Sequence, residues 1–129
     1  MRPRHQRHYT LEQANAVRDW VAARVAWSRN AHARLTAMGS QVRDAIEALD
    51  ERAGGSYPGR EVARSLVELS RAVGELEAVD VVLRDIDSGL VDFPAIRDGR
   101  EVYLCWLIDE PEIGFWHEPE AGFGGRQAL

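Results

Sequence analysis

Apolar residues recur through the first half of the chain in steps of three and four: Leu11, Ala14, Val17, Val21, Val25, then Leu35, Met38, Val42, Ala45 and Leu49. That spacing lines one face of an α-helix, and no proline intervenes between Thr10 and Pro58. Thr10 followed by Gln13 is a capping-box pair, and Glu12 sets an acid in the first turn, where the helix dipole favours it. The pattern predicts one helix over about 10–52, on the order of 60 Å long at 1.5 Å per residue. Its weak point is Gly39, at about 1 kcal/mol relative to Ala. AGGSYPG at 53–59 has turn composition, with Pro58 suited to open a second helix. That helix carries Val62, Leu66, Leu69, Val73 and Leu76; the β-branched run AVDVVLR predicts its end near Val79 and a short strand beyond. Joined by so short a loop, the two helices are antiparallel. A turn near Ser56 sets Leu49 beside Val62, Val42 beside Leu69, Leu35 beside Leu76 or Glu77, and His32 level with Asp80.

After Gly89 the period falls to two. Asp98-Gly99 between alternating residues is a strong two-residue hairpin signal, pairing Ala95 with Val102, Phe93 with Leu104 and Asp92 with Cys105. A second turn at Asp109-Glu110-Pro111 pairs Leu104 with Phe115, Tyr103 with Trp116 and Val102 with His117. Alternation then sorts two faces. Val91, Phe93, Val102, Leu104, Trp106, Ile113, Phe115 and His117 face the helices, with Trp20 and Trp27 as their cover. Leu90, Asp92, Tyr103, Cys105, Leu107, Gly114 and Trp116 share the other face, which is too apolar for open water and calls for a lid, a partner subunit or a ligand. Pro94 predicts a short edge strand. The glycines at 122, 124 and 125 predict an irregular tail folded back over the sheet and pinned by Phe123; an anion nest completed by Arg126 is the alternative. The fold class is therefore α+β: a long antiparallel two-helix hairpin (10–80), a small antiparallel β-meander of three or four strands (81–117) and a Gly-rich C-terminal tail (118–129). These form a single domain, 10–129, behind a flexible basic tail, 1–9.

Composition narrows the function. At 129 residues and 45% apolar content, the chain makes one small domain. It has no apolar run near the roughly 20 residues that span a bilayer, and no apolar segment follows the first arginines as a secretory signal would require. A lone cysteine makes no internal disulfide and fits a reducing, cytoplasmic setting. All sixteen basic residues are arginine, so Schiff-base catalysis and P-loop phosphate binding, which need lysine, are excluded. Charge runs from +5 over residues 1–34 to −10 over 75–120. The acidic module argues against nucleic acid, and the basic start reads as a solvated tail in which His5 and His8 are adventitious chelators. Apolar positions in the distal half of the hairpin, 35–76, need a second hairpin to cover them, so a homodimer is expected.

The run GLVDFPAIRDGREVYLCW, then EPEIGFWHE and AGFGGRQ, with YTLEQANA at the start, resembles the uncharacterised prokaryotic family known as domain of unknown function 2203. The resemblance spans Tyr9 to Leu129 and carries no established activity. It departs at Asp109, where relatives tend to have Gly, and at Arg18–Trp20, where a proline is common; the latter implies a straighter start to the first helix. Its densest polar and glycine positions are Asp92, Arg100, Glu101, His117, Glu118, Gly122, Arg126 and Gln127, which the resemblance implies as a shared site.

Two readings follow. As a homodimeric binding or assembly protein, the chain would offer a small-molecule or partner surface on its acidic, aromatic sheet, using Asp92, Arg100, Glu101, Tyr103, Cys105, Trp116, His117, Glu118, Arg126 and Gln127. As an enzyme, it would use His117 as general base or metal ligand, Glu118 and Asp92 as carboxylate partners and Arg126 as anion anchor. The pairing above puts Asp92 and His117 on opposite faces and argues against that dyad. No HExxH, CxxC or nucleophile elbow is present, and mid-strand Cys105 reads as buried and inert. No metal site is assigned. His117 with Glu118, and His32 with Asp80, are the pairs with ligand chemistry, and a divalent metal is the cofactor they would take.

Overall fold

The computed structural model describes residues 2–49 and 59–129. It is an α+β fold: helices α1 (Leu11–Ala16), α2 (Arg18–Leu49) and α3 (Gly59–Glu77) precede strands β1 (Val82–Asp85), β2 (Leu90–Arg97), β3 (Arg100–Leu107), β4 (Phe115–His117) and β5 (Gln127–Ala128). The strands form one antiparallel sheet in chain order. Among the described residues no helix is long and apolar enough to cross a membrane.

The capping box forms as expected. Thr10 Oγ1 accepts from Gln13 N at 3.1 Å, and Gln13 Oε1 accepts from Thr10 N at 3.0 Å. The helix it starts is not continuous, however, and its beginning is not straighter for lack of a proline. Val17, at φ −102° and ψ 6°, ends α1 after six residues. The break sits where the chain grips the β3–β4 connection from both sides: Asn15 Oδ1 accepts from Ile113 N at 3.2 Å, and the Arg18 guanidinium donates to the Pro111 carbonyl. Tertiary hydrogen bonds override a periodicity that alone favours one helix.

α2 and α3 run in opposite directions, since Arg24 meets Glu75 while Arg34 meets Ser65 and Glu68. The register differs from the expected one: Arg34 lies level with Ser65 and Glu68, and Leu35 is not beside Glu77. Small residues set it. Ser28, Ala31, Ser65 and Ala72 are buried where the helices meet, and Leu66, expected in the seam, faces out. The expected pairs Leu49–Val62 and Val42–Leu69, and the turn at 53–58, involve side chains or residues outside the described ones.

α3 closes with a Schellman motif, Val81 N donating to Leu76 O at 3.0 Å and Asp80 N to Glu77 O at 3.0 Å. Asp80 takes the left-handed position, φ 62°, that usually goes to glycine. β1 follows, as the β-branched run predicted. Asp98 and Gly99 both have positive φ, 51° and 74°, as a type I′ turn demands. β2 and β3 pair in the expected register, Asp92 with Cys105 and Phe93 with Leu104. Yet β2 is eight residues long and interior, not a short edge strand. Pro94 is tolerated there because its main chain points away from β3, beyond the end of β1, where its carbonyl accepts from Tyr9 N at 2.7 Å.

The second turn is where the sheet departs most from expectation. Leu107 N donates not to a strand partner but to Glu110 Oε1, at 2.8 Å, and Trp106 Nε1 donates to Glu110 O at 2.9 Å. Glu110 thus absorbs one residue before β4 begins. Leu104 pairs with Trp116 and Tyr103 with His117, a slip of one position. With a period of two, such a slip exchanges the faces of the whole strand. Trp116 joins the apolar side, and His117 and Phe115 move to the other.

One core results, built from Val21, Val25, Leu76 and Val81 against Val91, Phe93, Val102, Leu104, Trp106, Ile113 and Trp116. Trp20 is not part of its cover: it is exposed, with Arg24 stacked 3.9 Å from its ring centre. The smaller Ala14, Val21 and Val25 face the sheet instead. Tyr9, in the segment expected to be a solvated tail, is in this core, edge-on to Phe93 with ring centres 5.4 Å apart.

Candidate functional site

The register slip assembles the site. Asp92 on β2, Tyr103 and Cys105 on β3 and His117 on β4 now share the face turned away from the core. The dyad that the expected register forbade is formed: His117 Nε2 lies 2.9 Å from each oxygen of Asp92. All four residues are buried, at 1% exposure for Asp92, 2% for Tyr103, 0% for Cys105 and 2% for His117. The opposite side of the imidazole is fixed as well. His117 Nδ1 is 2.6 Å from the Glu118 carbonyl, and because a carbonyl only accepts, Nδ1 carries a proton. Arg84 donates from Nε to Asp92 Oδ2 at 2.8 Å, so both carboxylate oxygens of Asp92 have side-chain partners.

Arg84 is the member that sequence reasoning missed. The β1–β2 register shifts between Leu83 and Asp85, so Arg84 is the extra residue of a β-bulge, a device that re-aims a side chain. Burial works against its charge, but the Asp92 carboxylate and then Tyr103 outweigh it and raise its pKa. Its guanidinium also lies 4.8 Å from the Tyr103 ring centre. Nothing in AVDVVLR announces a bulge.

The chain itself covers this face. At one end His5 bridges Asp80 and Tyr103, its Nδ1 3.3 Å from Asp80 Oδ1 and its Nε2 2.8 Å from the phenol oxygen. Glu101 accepts from Arg4 N and His5 N at 2.9 and 3.2 Å and meets His8 Nε2 at 2.7 Å. Burial there opposes ionisation, but the His8 ring and the two N–H groups prevail and hold the Glu101 carboxyl below its ordinary range. The segment read as a solvated tail with adventitious chelators is thus laid across the sheet, its histidines on acidic partners. At the other end Arg126 donates to Glu110 at 2.6 Å and to the Cys105 carbonyl at 3.2 Å, and stacks 4.1 Å from the Phe115 ring centre. Arg126 therefore closes the turn. Gly124 and Gly125 lie in a 3-10 turn at Phe123–Gly125, Gln127–Ala128 after them pairs with β4 as β5, and Phe123 stays exposed instead of pinning the segment.

Several expected members stand elsewhere. Trp116 lies in the core, with Arg97 4.5 Å from its ring centre. Arg100 and Glu118 make a surface ion pair at 2.8 Å, which takes Glu118 away from His117 as a co-ligand. Gln127 is an exposed strand residue. His32 is not level with Asp80; it sits 4.0 Å from Asp87, both on the surface. Burial, then the nearby Asp92 charge, pushes the Cys105 thiol up to about 11.

The family model described as "Uncharacterized conserved protein (DUF2203)" matches residues 7–129. No curated protein and no solved structure gives a significant match.

Proposed function

We propose, for a chain that belongs to the DUF2203 family, a non-enzymatic assembly role: a cytoplasmic homodimer joined through its helical hairpins in a four-helix arrangement. The reading rests on one contrast. The acid–base groups Asp92 and His117 are sealed and mutually satisfied, whereas Leu66 and Val67 on α3 stay 52% and 64% exposed. A general base must reach the proton it removes, and His117 has both ring nitrogens engaged. Catalysis at that dyad would require the chain's own cover to lift. The outward face of α3 also carries Ala63, Ser70 and Gly74, small residues that let a second helix approach closely. A ligand or protein partner would then meet the rim of the sheet, where Arg100, Glu118 and Gln127 are accessible, and not the sealed Tyr103 and Cys105.

Sedimentation equilibrium tests this reading. The unaltered chain is expected to be dimeric at micromolar concentration, and the pair Leu66→Glu and Val67→Glu to be monomeric with unchanged circular dichroism. A monomeric unaltered chain would overturn it.

A further inference from the structure

Three kinds of donor converge under the seal. We propose that Asp92, Cys105 and His117 bind a divalent cation of the zinc class, which ties β2, β3 and β4 together. The carboxylate, thiol and imidazole ligand atoms lie within 4.8 Å of one another, and all three residues are buried. Only modest contraction brings them to the spacing of donors around one tetrahedral ion with bonds of about 2.0–2.3 Å. A water would take the fourth position.

The surroundings match what orients metal ligands. A metal-bound imidazole typically donates its other N–H to a carbonyl or carboxylate, and a ligating carboxylate is itself held by a hydrogen bond. Here His117 Nδ1–H goes to the Glu118 carbonyl, which aims Nε2 inward. Arg84 holds Asp92 Oδ2, which leaves Oδ1 for an ion. The donor set selects the class: a thiolate beside an imidazole suits zinc or cobalt, while magnesium and calcium prefer shells made wholly of oxygen.

Arg84 does not forbid the ion: a thiolate and a carboxylate as ligands neutralise a dication within the site, and Arg84 keeps its hydrogen bond to Asp92 Oδ2. Because the ligands come from three strands and are closed off from substrate-sized molecules, the role is structural. Glu118, on its surface pair with Arg100, takes no part.

The test uses the full chain, stripped of metal, refolded with Zn²⁺ or Co²⁺ and dialysed. One ion per chain is expected, with a sulfur-to-cobalt charge-transfer band in the near ultraviolet. Cys105→Ser should remove the band and weaken Zn²⁺ binding by more than the roughly 10–100-fold of an outer-shell change. The double variant His5→Ala with His8→Ala should keep both. Cobalt bound to the unaltered chain without the sulfur band would overturn the assignment even if Cys105→Ser failed to fold. So would no retained ion, or binding lost in the His5/His8 variant.

Discussion

The sheet has two faces made by the same three central strands, and they are held by different physics. The face against the helices is a packed apolar layer, in which Phe93, Leu104 and Trp106 meet Val21, Val25 and Leu76. The other face is a chain of polar contacts, Arg84–Asp92–His117 and His5–Tyr103, ending in Glu101. Packing tolerates small displacements; a buried ion pair does not, because a lost partner leaves a charge in low dielectric. The contrast shows where the fold is forgiving and where it is not.

The largest test pits the faces against each other. Phe93→Ala should cost about 3–5 kcal/mol in urea unfolding, the range for a fully buried aromatic. Asp92→Ala should cost about as much, roughly 3–5 kcal/mol, by stranding His117 and Arg84. Its double with His117→Leu should recover part of that loss, whereas no second truncation recovers Phe93→Ala. If the double is no better than the single, the polar face is not held by that pair.

A smaller effect lies at the N-terminal seal. The Glu101 carboxyl is held below its ordinary value of 4.5, burial being outweighed by His8 and two backbone donors. A lowered folded-state value means the stabilisation is complete above the unfolded value and is lost as pH falls through the folded one. Glu101→Gln should therefore lower stability at neutral pH by about 1–3 kcal/mol and flatten the stability–pH curve below about 4.5. At Glu110 burial opposes ionisation, but Arg126 and the Leu107 N–H outweigh it and lower its pKa, so it contributes in the same window and remains in that variant. An unchanged acid slope in Glu101→Gln would count against the seal. The smallest effect belongs to the rim: Arg100→Ala should change stability by less than about 1 kcal/mol, as exposed ion pairs do.

The β2 and β3 share of the apolar face was legible from alternation, though its β4 share was not, and the Asp98-Gly99 turn set the β2–β3 pairing without help from tertiary contacts. The capping box at Thr10 and the strand after α3 were legible for the same reason, since each is written in adjacent residues. Asp92, Tyr103, Cys105 and His117 were all singled out, but not their union. That union depends on Glu110 substituting a carboxylate for a strand partner at Leu107 N, a choice between two acceptors that turn composition does not settle. Arg84 was missed because a bulge leaves no mark in a run of branched residues. The N-terminal segment was misjudged because its partners, Asp80, Glu101 and Tyr103, lie far along the chain, where local pattern has no reach.

That last separation has a consequence for how the protein is made. The residues that close over Glu101 and Tyr103 are synthesised well before them, Arg4 97 positions ahead of the carboxylate that receives it. At about 5–20 residues per second, they wait about 5–20 s for it. The segment around Arg4 and His5 therefore stays unattached while the helices are translated, and it docks only once β3 has been made.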